Sequence, residues 1–160
     1  MPAIRAEPLT ASAFAPYGQV LAATGAFRVI NGGLCRRHHD LAALDFGGGR
    51  AGLSVFLAAP CTLPYRLTLI ERHPLGSQAF VPMTAAPFLV IVSDGPDARP
   101  RAFVTDGAQG INLARGTWHG VLTPLSAPGL FAVVDRIAGE GDPVTNLEEH
   151  RFAAPWTVTA

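Results

Sequence analysis

Residues 70–83 read Ile-Glu-Arg-His-Pro-Leu-Gly-Ser-Gln-Ala-Phe-Val-Pro-Met and set polar side chains between two apolar, strand-like runs. Alternate side chains of an extended strand point the same way, so Glu71 and His73 are predicted to share one face. Polar groups on an otherwise apolar face cost free energy unless they are paired or bind a ligand. A second polar pair, Trp118 and His119, stands between strand-like runs further along the chain. We expect the two segments to meet and build a site.

The composition describes one compact domain of residues 1–160. Hydrophobic residues make up 49% of the chain and charged residues 15%, which excludes a disordered or solvating chain. Twelve basic residues balance 12 acidic ones, so no charge excess favours nucleic acid or an anionic membrane surface as a partner. All the basic residues are arginine, which excludes chemistry through a lysine Schiff base.

The remaining global features indicate a protein of the cytoplasm. Residues 1–5 lack the apolar core of a signal peptide, and no apolar run is long enough for a transmembrane helix. The two cysteines, Cys35 and Cys61, do not have the spacing of metal ligands. We therefore expect a soluble, cytoplasmic protein without a membrane partner.

Prolines and glycines divide the chain into short segments that favour strands over helices. One short helix is predicted over residues 12–17, with Ser12 as its N-cap. Regularly spaced short strands are typical of an antiparallel β-sandwich or barrel. Strand-like runs occupy 19–22, 27–30, 52–58, 65–73, 78–82, 88–93, 101–105, 110–114, 119–123 and 130–136.

The spacing of four polar residues resembles the two motifs of the cupin superfamily, a His-x-His pair with a Glu five residues on, and a later Gly-x-x-His. Glu71 stands at the first histidine position, His73 at the second, Gln78 at the glutamate position and His119 at the last. Two of the four ligand types are thus replaced. The resemblance implies an all-β, cupin-like antiparallel barrel or jelly roll with one or two short helices.

Within that superfamily the chain most resembles the ureidoglycolate lyase family, over roughly residues 14–150. The matching segments are 71–83, 107–112, 117–119 and 134–136, with support from 31–34 and 39–42. The resemblance implies a homodimer that splits (S)-ureidoglycolate into glyoxylate and urea during allantoin and purine degradation. It also implies nickel in some members, and two histidines, one carboxylate and one amide oxygen form an acceptable, weak ligand set for nickel or zinc.

That reaction defines the expected catalytic residues. A base must take the hydroxyl proton of the substrate, and an acid must protonate the departing nitrogen. His119 or His73 is the expected base, because histidine exchanges protons near neutral pH. Glu71 is expected to orient a histidine or to act as the partner acid. If a metal is bound, its ligands are expected to be Glu71, His73, Gln78 and His119, and the metal-free form of the reaction stays open.

Substrate binding needs a cation for the carboxylate, and arginine matches a carboxylate with two hydrogen bonds. Arg72 is a candidate, although strand alternation points it away from Glu71 and His73, and Arg136 is another. Gln78 could both donate to and accept from the urea amide. The expected substrate-binding residues are Arg72, Gln78, Arg37, Ser77 and Asp135.

Two other functions fit the residues. A non-catalytic cupin that binds a small carboxylate as a sensor or carrier would not need both His73 and His119. A metallocupin oxygenase or isomerase would usually have a carboxylate where this chain has Gln78.

Overall fold

The computed structural model describes residues 1–142 and 146–160, which form many short strands and very little helix. The strands in chain order are β1 (Ala3–Pro8), β2 (Gly18–Leu21), β3 (Arg28–Ile30), β4 (Cys35–Arg37), β5 (Arg50–Ala58), β6 (Tyr65–Arg72), β7 (Gln78–Pro82), β8 (Phe88–Ser93), β9 (Arg101–Val104), β10 (Gly110–Leu113), β11 (Trp118–His119), β12 (Thr123–Pro124), β13 (Gly129–Ile137) and β14 (Glu148–Thr159). The helical elements are α1 (Ala11–Phe14) and a 3₁₀ turn at Asn31–Gly33. Among the described residues, no helix has the length and apolar character needed to span a membrane.

The helix α1 is capped by Thr10 rather than by Ser12. The Thr10 backbone is extended, and its hydroxyl oxygen accepts a hydrogen bond from the Ala13 amide at 3.2 Å. An N-cap needs this non-helical backbone, and Ser12 already lies inside the helix. The expected cap is therefore wrong by two residues, although the short helix itself is present.

Within residues 1–142 and 146–160, the strands form two large sheets and one separate hairpin. The first sheet has the strand order β11-β6-β14-β1-β9-β8-β12, and it closes because β11 also pairs with β8. The second sheet has the order β2-β10-β7-β13-β5, while β3 and β4 form a hairpin of their own. The all-β, cupin-like barrel expected from the sequence is confirmed.

Strand β1 is the single exception to antiparallel pairing among the described strands. It runs parallel to β14, with Ala3 opposite Thr157, and parallel to β9, with Ala6 opposite Ala102. Parallel neighbours need long connections, and many residues separate β1 from both partners. The amino-terminal strand thus joins two strands from the second half of the chain.

The part of the chain that the structure describes contains two hydrophobic cores. The first core lies between the two large sheets and includes Phe80 and Phe131 of the five-stranded sheet and Val92 of β8. The second core contains Leu89 and Ile91, which point to the opposite face of β8. Strand β8 is therefore buried on both faces. The side chains on the same face as Val92 point into the space between the two large sheets.

Candidate active site

Strand pairing brings Glu71 and His119 together from distant parts of the chain. The short strand β11 lies between β6 and β8, with His119 opposite Glu71 on one side and opposite Val92 on the other. Residues directly opposite each other in an antiparallel pair point to the same face. Because Val92 is part of the first core, Glu71 and His119 also face the space between the sheets.

His73 completes a cluster of three possible ligands immediately after the end of β6. Its ring centroid lies 5.2 Å from that of His119. One side-chain nitrogen or oxygen from each of Glu71, His73 and His119 lies within 4.8 Å of the other two. We refer to these three residues as the Glu-His-His cluster. No other group of three such ligands occurs among the described residues.

Backbone carbonyls fix the protonation of both histidine rings. His119 Nδ1 lies 2.9 Å from the Gly120 carbonyl oxygen, and His73 Nδ1 lies 2.7 Å from that of Asn146. A carbonyl oxygen can only accept, so each Nδ1 carries a proton, and in the neutral form of each ring the lone pair lies on Nε2. Both Nε2 atoms are buried, and neither has a hydrogen-bond partner within the described chain.

Burial shifts the pKa of two members of the cluster. It lowers the pKa of His119 to about 4, with His73 adding to the shift and the Gly120 carbonyl opposing it. Burial also raises the pKa of the Glu71 carboxyl; the charge of His73 opposes this and that of Glu149 reinforces it. His119 is therefore neutral at neutral pH, and Glu71 holds its proton to a higher pH than an exposed glutamate.

Two imidazole nitrogens and a carboxylate oxygen lie within 4.8 Å of one another, so the cluster offers three possible acceptors. Buried acceptors without partners are complemented by a cation or by the proton of a bound hydroxyl group. Imidazole nitrogen and carboxylate oxygen are ordinary ligands of zinc and nickel. The residues therefore fit a divalent metal, and they also fit a substrate that offers a proton.

Gln78 faces the same space from the other sheet. It lies opposite Leu113 of β10 and Asp135 of β13, and its neighbour on the same face, Phe80, belongs to the first core. Its amide nitrogen donates to the Asp135 carboxylate at 3.2 Å. The amide oxygen is left buried without a partner in the described chain. Gln78 thus presents an acceptor.

Ser77 is engaged with the backbone of another loop. Its hydroxyl donates to the Asp45 carbonyl at 3.2 Å and accepts from the Asp45 amide at 2.8 Å. The Ser77 amide also donates to the Asp45 carbonyl. Ser77 therefore holds the loop around Asp45 against the turn that precedes β7.

Three arginines near this end of the barrel already have anionic partners. Arg72 donates to Glu148 at 2.7 Å, and its guanidinium lies 5.0 Å from the centre of the Trp118 ring. The nearly buried Arg136 side chain is bonded to the Asp142 carboxylate and to the carbonyl of Phe46. Arg115 lies beside Asp45 at 3.7 Å and donates to the Pro74 carbonyl.

Arg37 lies apart from these residues. It is exposed on β4, opposite Arg28 of β3, in the hairpin that pairs with neither large sheet. The structure thus brings Glu71, His73 and His119 together and places Gln78 with Asp135. It does not bring Arg72 or Arg37 of the same chain to the cluster.

Asn146 contacts the Glu-His-His cluster, although the sequence does not predict it. It is separated by 73 residues from His73, whose ring it binds through its backbone. A backbone acceptor has no sequence signature, because every residue type carries the same carbonyl group. The residue type gives a signal only for the side-chain contact that Asn146 makes with the Leu75 amide.

The buried, neutral state of His119 predicts acid destabilisation. The pKa falls from its ordinary 6.5 to about 4 on folding, so the unfolded chain binds this proton first as the pH drops. The neutral ring contributes on the order of 3 kcal/mol to the free energy of unfolding. This contribution is fully present above about pH 6.5 and is lost as the pH falls towards about 4. Between these two pH values, the free energy of unfolding measured in urea should fall less for His119→Asn than for the wild type. Equal losses would contradict the burial of a neutral ring.

The fold and the cluster together define a cupin-type protein with a possible metal-binding group of side chains between its sheets. A family model described as ureidoglycolate lyase matches residues 1–159. The chain belongs to the ureidoglycolate lyase family.

Relatives agree with this over nearly the whole chain. The protein is 54% identical over 157 residues to the ureidoglycolate lyase of Rhodobacter capsulatus, with 95% of each chain covered. It is 50% identical over 161 residues to that of a Chelativorans species, covering 97% of this chain and 95% of the relative. It is 46% identical over 165 residues to that of Mesorhizobium japonicum, covering 99% and 98%.

Proposed function

We propose that this chain is a ureidoglycolate lyase that splits (S)-ureidoglycolate into glyoxylate and urea in allantoin degradation, as a single cupin-like domain of residues 1–160. The observation that carries the proposal is the convergence of Glu71, His73 and His119 between the sheets. The names and coverage of the relatives support it. The cytoplasmic location stays a prediction from the sequence.

The cluster supplies the proton transfers of this cleavage. One unprotonated histidine Nε2, of His119 or His73, accepts the proton of the substrate hydroxyl as the carbonyl of glyoxylate forms. The carbon–nitrogen bond breaks, and its electron pair leaves with the urea nitrogen. That nitrogen takes a proton from Glu71, whose raised pKa favours the acid form, or from the histidine that accepted the first one. In the net reaction the substrate loses one proton and urea gains one; where Glu71 is the donor, the histidine passes its proton to Glu71 before the next turnover.

A divalent metal such as nickel or zinc would be held by Glu71, His73 and His119, with Gln78 as a weaker fourth ligand. When bound, it would act as a Lewis acid that lowers the pKa of the substrate hydroxyl. The residues would still orient the substrate and exclude water. Metal analysis of the purified protein, and activity after chelation and nickel addition, test this part of the proposal.

Gln78 and Asp135 act on the urea end of the substrate. The Gln78 amide nitrogen is held by Asp135, so its oxygen is directed as an acceptor towards an N–H group. The urea moiety carries such donors, which would satisfy the buried oxygen. Ser77 supports this wall of the site by fixing the loop at Asp45.

We also propose that the protein is a homodimer joined through the outer face of the five-stranded sheet. Alternate residues of β5 on this face are apolar and exposed: Leu53 by 74%, Val55 by 63% and Leu57 by 74%. The exposed Val81 of β7 continues the apolar surface through Ala132 of β13. A large exposed apolar patch is typical of an interface, and a second copy offers the same patch by symmetry.

In this dimer the substrate carboxylate is bound by Arg37 of the partner subunit. Arg72, Arg115 and Arg136 are engaged with carboxylates, whereas Arg37 lies exposed on a hairpin outside both sheets. Loss of a charged hydrogen-bond pair costs about 1.5–3 kcal/mol, so Arg37→Ala should raise KM by about 10- to 100-fold. Arg36→Ala is the matched control, because Arg36 is its exposed neighbour and lies over the Phe27 ring.

A mixed dimer shows which subunit supplies Arg37. One subunit carries Arg37→Ala, the other carries His119→Asn, and differently tagged copies are purified together. If Arg37 acts across the interface, one of the two sites is intact and about half of the wild-type activity returns. If Arg37 acts within its own chain, both sites are damaged and the mixed dimer is no more active than its parents. The second result would contradict the proposal.

The overall function is tested by incubating ureidoglycolate with purified protein with and without oxygen. The lyase should release glyoxylate and urea equally well in both. Turnover that needs oxygen would favour a metallocupin oxygenase. Binding of ureidoglycolate without turnover, in protein supplied with nickel or zinc, would favour a non-catalytic cupin.

A further inference from the structure

Asn146 makes two short hydrogen bonds to the turn that carries His73. Its backbone carbonyl accepts from His73 Nδ1 at 2.7 Å, and its side-chain oxygen accepts from the Leu75 amide, also at 2.7 Å. Asn146 itself is half-buried, and strand β14 begins two residues after it. Asn146 therefore binds both the His73 ring and the backbone of the turn that follows it.

These two hydrogen bonds hold His73 in place of strand pairing, because β6 ends at Arg72. A neutral imidazole can carry its proton on either nitrogen, and only one tautomer presents a lone pair at Nε2. The bond to the Asn146 carbonyl selects the form with the proton on Nδ1. The bond from the Leu75 amide to the Asn146 side chain holds that carbonyl in place. Pairing of Glu148 with Arg72 fixes the segment from its other side.

We propose that Asn146 is a positioning residue that fixes the tautomer and orientation of the His73 ring. Its kinetic consequence rests on the function proposed above, whereas the state of the ring does not. Partners that orient a ligating or catalytic histidine typically affect affinity or activity by about 10- to 100-fold.

Long-range ¹H–¹⁵N NMR of the histidine rings tests the proposal without any turnover. Spectra are recorded on chelated protein, well above the ordinary histidine pKa of about 6.5. His73 should carry its proton on Nδ1 in the wild type, and Asn146→Ala should show a mixture of tautomers. Asn146→Asp should keep the wild-type form, because a carboxylate oxygen also accepts from the Leu75 amide. His119, bonded to Gly120, serves as the internal reference in every spectrum.

Kinetics provide the second measurement. Asn146→Ala should lower kcat by about 10- to 100-fold with little change in KM, and Asn146→Asp should restore most of it. Leu147→Ala, at the exposed neighbouring position, is the matched control and should behave as wild type. A wild-type His73 with its proton on Nε2 would overturn the proposal, whether or not Asn146→Ala folds. So would a folded Asn146→Ala protein with wild-type tautomer and kcat. Inactive wild-type protein with the expected tautomer would count against the lyase function alone.

Discussion

Replacing His119 by asparagine is expected to lower kcat for ureidoglycolate cleavage by about 10²- to 10⁴-fold, the usual contribution of a general base. His119 is 3% exposed, its Nδ1 is bonded to a carbonyl, and its Nε2 is buried without a partner in the described chain. The side chain lies beside Glu71 and His73. Asparagine can still donate to the Gly120 carbonyl, but it cannot accept the substrate proton at neutral pH. Steady-state release of glyoxylate at saturating substrate measures the effect.

His150→Asn is the control for this substitution. His150 lies on β14, with Nε2 3.9 Å from Asp97 and its ring against Phe152, and it takes no part in the cluster. Its kcat should stay near the wild-type value. Thermal unfolding of both variants separates loss of chemistry from loss of folded protein. A folded His119→Asn protein with kcat within threefold of wild type would exclude His119 from the reaction.

Glu71→Gln is expected to have the next largest effect, a loss of about 10²-fold or more in kcat. Glutamine keeps the size of the side chain but can neither bear the negative charge nor transfer a proton. Because burial raises the pKa of Glu71, the protonated acid persists to higher pH. If Glu71 is the acid, wild-type activity falls as the pH rises through this raised pKa, and that limb disappears in the variant. Rate profiles against pH measure both effects.

Glu149→Gln provides the matched control for this second prediction. Glu149 lies directly opposite Glu71 in the β6–β14 pair, but its side chain is exposed. Its charge raises the pKa of Glu71, so removing it should shift the pH limb slightly downwards and leave kcat within a few-fold. Equal losses from Glu71→Gln and Glu149→Gln would show that the cluster responds only to nearby charge.

The cluster could be predicted from sequence because its residues lie in or next to strands of regular alternation. Glu71 and His73 are two positions apart, and His119 stands in a Gly-x-x-His spacing that resembles a cupin motif. The sequence does not predict strand β14, for a physical reason. Proline at position 155 interrupts it, and the register shifts between Arg151 and Trp156, which breaks the expected pattern.

Long-range contacts of individual side chains could not be predicted in the same way. Arg72 forms a salt bridge with Glu148, and Arg136 forms one with Asp142. Local sequence does not show either pair, since each carboxylate lies on another segment. The hydrogen bonds of Ser77 and His73 end on the backbones of Asp45 and Asn146, which any residue type could supply. These contacts depend on the fold. Only the structure therefore shows which arginines are already paired with carboxylates.

The most direct test of the proposed lyase function is the stoichiometry of complete turnover of racemic ureidoglycolate, followed by ¹³C NMR. Wild-type protein should consume about half of the racemate, because one enantiomer is cleaved, and should release glyoxylate and urea in equal amounts. His119→Asn should leave the substrate unchanged over the same period. Release of ammonia and carbon dioxide in place of urea, or no consumption by wild-type protein supplied with nickel or zinc, would contradict it.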